Sequence, residues 1–344
     1  MRDVRCIDLF CGVGGLTHGF VLEGLPVAAG IDFDPNCRYA YEANNNASFI
    51  ERDVALVKSQ ELSALFGDSK YRVLAGCAPC QPFSTYSQRY EPEGPGGKWS
   101  LLYQFGRLVK ELQPEIVTME NVPTVARHRV FADFQAQLRG LGYSVWSAVV
   151  DSSQYGVPQT RKRMVLLASK LGEIKLIPPT CSQPKTVKQA IGRLRQLGAG
   201  ESSAHDRLHA SAALTKKNVE RIRASRPGGT WRDWPRRLIN ECHKADTGRT
   251  YPAVYGRMEW DKPAPTMTTQ CFGFGNGRFG HPDQDRAISL REAAILQSFP
   301  KNYLFVRKDD PVHFTTMGRL IGNAVPVDLG RAIAKSIKLH LISL

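Results

Sequence analysis

Val4 to Leu16, VRCIDLFCGVGGL, is the stretch that decides the fold. An apolar run of strand length meets a turn carrying Gly12, Gly14 and Gly15, and a helical pattern follows at about residues 16–23. Such a turn at the carboxyl end of a first strand marks the ligand corner of an open α/β sheet, because backbone without Cβ lets a ligand come close. The glycines lack the GxGxxG spacing of a pyrophosphate cradle, so a nucleoside without a diphosphate fits this corner better than a dinucleotide. A purely structural tight turn is the competing reading of the glycines taken alone.

Working outward, strand-like runs recur at 4–10, 27–31, 71–76, 114–120, 143–150 and 163–169. Helical patterns lie between them at about 16–23, 36–44, 59–66, 101–112 and 122–141. Strand and helix in alternation imply βαβ crossovers and a mostly parallel sheet covered on both faces. Asp32 closes the second strand, about twenty residues beyond the glycine turn, where an acidic side chain takes ribose hydroxyls. Asp53 closes a third, where a carboxylate or a neighbouring amide meets an adenine edge. The three strand ends together favour S-adenosylmethionine.

The alternation is lost after Lys170. From Ile177 to about Gly280 the chain is rich in Pro, Gly, Arg and Trp and poor in periodic runs, which places a second, irregular domain there. Helical patterns at 289–299 and 327–342 close the sequence, the latter amphipathic enough to return to the first domain's sheet.

The 344 residues carry a formal charge of +14, and between Lys185 and Arg257 sixteen Lys and Arg stand against six Asp and Glu. This concentration implies a polyanionic partner more than a generally basic surface does. The eight cysteines are scattered and no secretory signal precedes them, which reads as a reducing cytoplasm with no disulfide framework. No apolar stretch approaches the roughly 18 residues of a membrane span.

GCAPCQPFS, Gly76 to Ser84, sets Cys77 and Cys80 three apart after a strand. Half a zinc site would need a second pair at finger-like spacing, and the chain has none. His205, His209, Cys242 and His243 are poorly spaced for one, so no metal is expected. A thioredoxin-like pair would open a helix, whereas a long polar loop follows here. A structural cysteine and a nucleophile remain. Glu120, in ENV at the end of the next long strand, would reach the same sheet edge as Cys80. A thiolate attacking an electron-poor ring needs a proton donor for the ring nitrogen, and cytosine is such a ring.

The motifs DLFCGVGGL, GCAPCQPFS, MENV, QYGVPQTRKRMVLLAS, SLREAAILQSFP and MGRLIGNAVP stand in the order found in the DNA (cytosine-5)-methyltransferases of bacterial restriction-modification type, which this chain resembles over almost its whole length except the variable middle. The resemblance implies an α/β fold: a Rossmann-like, S-adenosylmethionine-dependent methyltransferase with a mixed sheet and helices on both faces, plus a smaller irregular target recognition domain. The catalytic domain would be discontinuous, 1–172 and 316–344. The small domain would run 173–315, with its recognition region at about 175–280.

For the site, the resemblance implies that Cys80 adds to carbon 6 of a cytosine flipped from duplex DNA, so that carbon 5 takes the methyl group. Glu120 would hold the Watson–Crick edge and protonate ring nitrogen 3, Asn121 would orient the strand end, and Arg163 would hold the pyrimidine carbonyl. Arg161 would support the site or a phosphate. Around S-adenosylmethionine, Phe10 would stack near the adenine, Gly12 and Gly14 line the methionine moiety, and Asp32 grip the ribose. Asp53 would read the adenine amino group, Pro79 and Leu101 pad the pocket, and Asn323 and Val325 close it. S-adenosylhomocysteine would be the product.

The loop Ser84 to Trp99 would close over the flipped base. Two departures from the family pattern stand out: small substitutes near Cys77-Ala78, and GGKW where an acidic-Arg pair is common before Leu101. The candidate DNA contacts are Ser84, Gln88, Arg232, Arg236, Arg237, Arg257 and Thr268, while Trp231 and Trp234 suit a core better than base readout. The implied setting is a cytoplasmic, nucleoid-associated monomer acting on double-stranded DNA, with a restriction endonuclease or another defence protein acting on the same DNA.

An RNA cytosine-5 methyltransferase on the same scaffold, a catalytically silent DNA-binding regulator and a dinucleotide oxidoreductase are the rivals. The first lacks its characteristic middle segment, the second would not need Cys80, Glu120 and Arg163, and the third leaves PCQ unexplained.

Overall fold

The computed structural model describes residues 3–79, 100–245 and 248–344. Cys80, Ser84, Gln88 and the expected closing loop lie outside the described residues.

The strands are β1 (Val4–Leu9), β2 (Val27–Asp32), β3 (Ser48–Glu51), β4 (Tyr71–Gly76), β5 (Ile116–Asn121), β6 (Ser144–Asp151) and β7 (Lys162–Ser169). They form one sheet in the order β3-β2-β1-β4-β5-β7-β6. β1 to β5 pair in parallel, whereas β7 runs antiparallel to both β5 and β6. The chain leaves β1 toward β2 and β3, then crosses back to β4 and β5. The switch between β1 and β4 opens the crevice where open α/β sheets bind ligands.

The helices of this first unit are α1 (Gly15–Leu22), α2 (Arg38–Asn45), α3 (Ser59–Phe66), α4 (Ser100–Leu112) and α5 (Arg129–Gly140). The expected helix at 122–141 is interrupted: Pro123 opens a 3₁₀ turn, Pro123–Arg127, and α5 starts after it. Alternate strand residues face opposite layers, as the two-residue period requires. Leu74, Leu166 and Ala168 join α3, α4 and α5 in one buried cluster, and Phe105 packs on Phe134 with ring centroids 5.3 Å apart. Val73, Val165 and Leu167 face the other way, onto α1 and a helix from the far end of the chain.

Compact packing divides the chain into residues 1–155, 162–180 and 325–344 as one unit, and 156–161 with 181–324 as the other. The division falls at 180/181 and 324/325, beyond the expected junctions at 172/173 and 315/316, and the short segment before β7 goes with the second unit. Within the second unit lie α6 (Val187–Ile191), α7 (Lys216–Ala224), α8 (Glu241–Lys244), α9 (Leu290–Leu296) and α10 (Phe314–Asn323). Its cores are aromatic and ionic. Ile222, Trp231, Trp234, Leu238 and Phe274 cluster, and Arg286 forms a buried two-pronged pair with Glu292, both contacts 2.7 Å. Extended segments meet there through isolated bridges such as Pro227 with Arg257.

The last helix, α11 (Val327–Ile342), belongs to the first unit. It crosses α1 with backbones touching: a Cβ on Gly19 would lie 2.5 Å from the Gly330 carbonyl carbon. Arg331 pairs with Glu23 at 2.8 Å beside that crossing, and Leu329 and Ile333 are fully buried. Each such side chain stabilises the fold by about 2 kcal/mol, so the chain's end is part of the first core. Among the described residues no helix is long and apolar enough to cross a membrane.

Candidate active site

The parallel register brings Leu9, Ile31 and Gly76 level at one edge of the sheet, with Met119 of β5 beside Gly76. Antiparallel β7 starts at that edge, so Glu120 stands opposite Val165 and Asn121 opposite Met164. One strand reversal thus sets an arginine from the beginning of β7 against an acid from the end of β5.

Around the glycine turn the backbone is left-handed at Phe10 (φ 57°), Gly12 (φ 52°) and Gly14 (φ 85°). Glycine adopts this region freely, and a phenylalanine there is strained, a feature that clusters at ligand sites. Gly12 donates its amide to Asp32 Oδ2 at 2.9 Å, which ties the β1 turn to the end of β2. Asp32 Oδ1 accepts from the Asp34 amide at 3.0 Å. Burial raises the Asp32 carboxyl, the two amides draw it back, and the net shift is upward.

Asp8 was not singled out from the sequence. It is buried in β1, accepts from the Thr17 hydroxyl at 2.7 Å through Oδ2, and has no hydrogen-bond partner among the described residues at Oδ1. Burial pushes it up to about 7, with Thr17 opposing and the charge of Asp32 adding. A carboxylate inside the apolar run VRCIDLF was the signal that could have found it. Phe33 was missed too: it is 66% exposed between Asp32 and Asp34, an aromatic face at the ligand corner.

A cofactor with a cationic amino group and a ribose fits these residues. Asp8 offers an acceptor without a partner among the described residues, and a Cβ built on Gly12 meets none of them within 4 Å. Pro79 and Leu101 are half-buried. Asp53 lies two residues past the end of β3, exposed, with Oδ1 accepting from the Ala55 amide at 2.9 Å. Val325 is buried in the first unit, while Asn323 is exposed at the end of α10 in the second.

Glu120 is only 3% exposed. Arg163 Nε lies 2.9 Å from its Oε1, and the approach is too bent for a hydrogen bond, so that oxygen is ion-paired yet has no donor aligned to it among the described residues. The Cys77 thiol donates to Oε2 at 3.0 Å. Asn121 donates to the Ala78 carbonyl at 3.0 Å and accepts from the Val122 amide at 2.8 Å, which fixes the approach to Pro79. A buried acid paired with a cation at a sheet edge can hold and deliver a proton to a basic ring nitrogen.

The other candidates lie in the second unit. Arg161 is buried and donates to the Met267 and Gly322 carbonyls at 2.8 and 3.1 Å, so it supports the chain. Arg232 and Arg237 are exposed and already engaged, the first with the Arg249 carbonyl and the second with Glu220. Arg236 and Thr268 are exposed. Arg257 corrects the expectation of a DNA contact: it is 4% exposed, donates to the carbonyls of Ile222, Ser225, His281 and Gln284, and pairs with Asp285. Trp231 and Trp234 are core residues, and His209 and His243 are likewise buried, His243 stacked on Trp231.

A family model of C-5 cytosine-specific DNA methylases matches residues 4–339. The Type II methylase M.HgiDII of Herpetosiphon aurantiacus is 54% identical over 97% of this chain and 95% of its own length. The Type II methyltransferase M1.HphI of Haemophilus parahaemolyticus is 30% identical over 96% and 86%. Among solved structures, a protein described as a DNA modification methyltransferase encoded within an E. coli prophage superposes with a TM-score of 0.75 at 23% identity, covering 98% of this chain and 99% of its own. That last likeness is one of fold. The two sequence relatives and the family model span both units, and on that extent the chain belongs to the C-5 cytosine-specific DNA methylases, enzymes that draw their methyl group from S-adenosylmethionine.

Proposed function

We propose that this enzyme methylates carbon 5 of a cytosine flipped out of one short duplex sequence, through a transient covalent bond to Cys80. The observation that carries the reading is the Glu120 carboxyl group, buried at the end of β5 with Arg163 at Oε1 and that oxygen lacking an aligned donor among the described residues. Cys80 adds to carbon 6, and the electron pair driven into the ring is met by a proton from Glu120 at ring nitrogen 3, so carbon 5 gains nucleophilic character. When bound, S-adenosylmethionine supplies the electrophilic methyl group that carbon 5 takes up, leaving S-adenosylhomocysteine. A base then takes the proton from carbon 5, the bond to Cys80 breaks to release its thiolate, and ring nitrogen 3 returns its proton to Glu120, which restores the aromatic ring.

Arg163 keeps the Glu120 side chain in place and faces the pyrimidine carbonyl. Asn121 fixes the backbone before Cys80. Asp8 and Asp32 hold the cofactor's ammonium and ribose, Phe33 gives its adenine a stacking face with Phe10, Asp53, Pro79 and Leu101 nearby, and Val325 and Asn323 close the site. No metal takes part.

The second unit, with its basic surface, reads the target, and Arg232, Arg236, Arg237 and Thr268 are its candidate contacts. The Type II names of the relatives support a role as a modification enzyme; a cognate endonuclease beside it, a cytoplasmic setting and a monomeric state belong to the same reading. Because these relatives are named as Type II enzymes and the family model as a DNA methylase, the RNA alternative is not favoured.

The test is bisulfite sequencing of DNA from a methylation-free host expressing the wild type or Cys80→Ser. Protection of one short motif by the wild type alone is the expected result. Complete conversion in both, with the protein present and folded, overturns the reading.

A further inference from the structure

We propose that Cys77 is a positioning residue for methyl transfer: its thiol holds one oxygen of Glu120 so that the other faces the cytosine ring. The inference rests on the reading of Glu120 as the acid of the reaction.

Cys77 stands at the end of β4, where its amide donates to the Leu9 carbonyl at 3.3 Å and fixes it to the neighbouring strand. Its side chain is half-buried against the apolar layer beneath α1 and α11. From there the thiol donates to Glu120 Oε2 at 3.0 Å, across 43 positions of sequence. Among the described residues no other side chain donates to that oxygen, and the one cation against the carboxyl group, Arg163 of β7, approaches Oε1. The two oxygens are therefore distinguished: a thiol on one, a bent ion pair on the other. Without the thiol the carboxyl group could turn about its terminal bond, which is a soft torsion, and carry the acid's proton away from the ring.

A thiol is a weak donor. It orients the acid without adding a second charged donor to the one Arg163 already brings to the carboxyl group. This predicts an effect on the chemical step, with little on DNA affinity, because the proton on Glu120 is used when the ring is activated.

The experiment measures the single-turnover methylation rate and the KM for DNA in the wild type, Cys77→Ala, Cys77→Ser, Glu120→Gln and the Glu120→Gln/Cys77→Ala double variant. Loss of one weak hydrogen bond from the transition state slows the step about fivefold. Cys77→Ala is expected to show that loss with the KM for DNA within about twofold, Cys77→Ser to recover most of the rate because a hydroxyl also donates, and Cys77→Ala to add nothing in the Glu120→Gln background. Full speed in Cys77→Ala, a changed KM at unchanged rate, or an equal loss in both backgrounds overturns the inference.

A wild type unable to methylate DNA overturns the reading of the site as well, so the two failures are distinct. If Cys77→Ala does not fold, the infrared S–H stretching band, assigned to Cys77 by comparison with Cys77→Ser, decides the matter. It should shift in Glu120→Gln, and an unshifted band contradicts the contact.

Discussion

Arg163 and Glu120 come from neighbouring antiparallel strands and meet with Nε 2.9 Å from Oε1, inside an environment that leaves the acid 3% exposed. Removing the cation leaves the buried carboxyl group without its charged partner. Arg163→Ala should lower stability by about 3 kcal/mol and abolish methylation, whereas Glu120→Gln should keep the fold and lose about 10²–10⁴-fold in rate. Chemical denaturation and single-turnover assays separate the two, and an Arg163→Ala protein with wild-type stability contradicts the buried pair.

Asp8 makes the apo enzyme sensitive to pH. Its carboxyl group is raised from 3.8 to about 7 by burial, so the folded state prefers it neutral. The associated stability is fully present below the unfolded value near pH 4, falls as pH rises, and is lost once pH passes about 7. Asp8→Asn should therefore stabilise the apo protein more near pH 8 than near pH 5. A bound ammonium favours the ionised form, so wild-type affinity for S-adenosylmethionine should rise from about pH 6 to about pH 7.5, and Asp8→Asn should flatten that rise in calorimetric titrations.

Arg257 and Arg236 should behave in opposite ways. Arg257→Ala removes the buried donor that the Ile222, Ser225, His281 and Gln284 carbonyls share, although Ile222 and Gln284 keep a backbone amide each, and a loss of about 3 kcal/mol in stability is expected. Arg236→Ala should change stability by less than about 0.5 kcal/mol while lowering the salt dependence of DNA binding by about one ion. Equal stability in the two variants would contradict the placement of Arg257.

Ser298, just past α9, sits at φ 61°. Glycine adopts this conformation without a Cβ clash, so Ser298→Gly should raise the unfolding free energy by about 1 kcal/mol, and Ser298→Val should lower it. An unchanged denaturation midpoint in both contradicts the strain.

The features legible in the sequence are those whose causes are local. VRCIDLF, the glycines and the helix behind them specify β1, its turn and α1 within a few residues, and the same holds for α3, whose expected and observed ranges both run 59–66. Glu120 could be placed at a sheet edge because a parallel strand ends where its neighbours end. Features with distant causes stayed hidden. The fate of Arg257 depends on carbonyls up to 35 positions away, and a basic run gives no sign that one of its arginines is enclosed. The Cys77 contact spans 43 positions, so the spacing of CxxC could not disclose it. Pro123 marked the break before α5, but the apolar period continued across it and masked the boundary.

The central claim is that Cys80, in a site whose acid is Glu120, forms a bond to the target cytosine. Its most direct test is incubation with S-adenosylmethionine and a target duplex carrying 5-fluorocytosine, where fluorine blocks the final proton loss, followed by peptide mapping. A denaturation-resistant one-to-one adduct on Cys80, absent in Cys80→Ser, is the predicted result. An adduct mapped to Cys77, or methylation of ordinary DNA by the same preparation with no trapped species on the fluorinated duplex, contradicts the account.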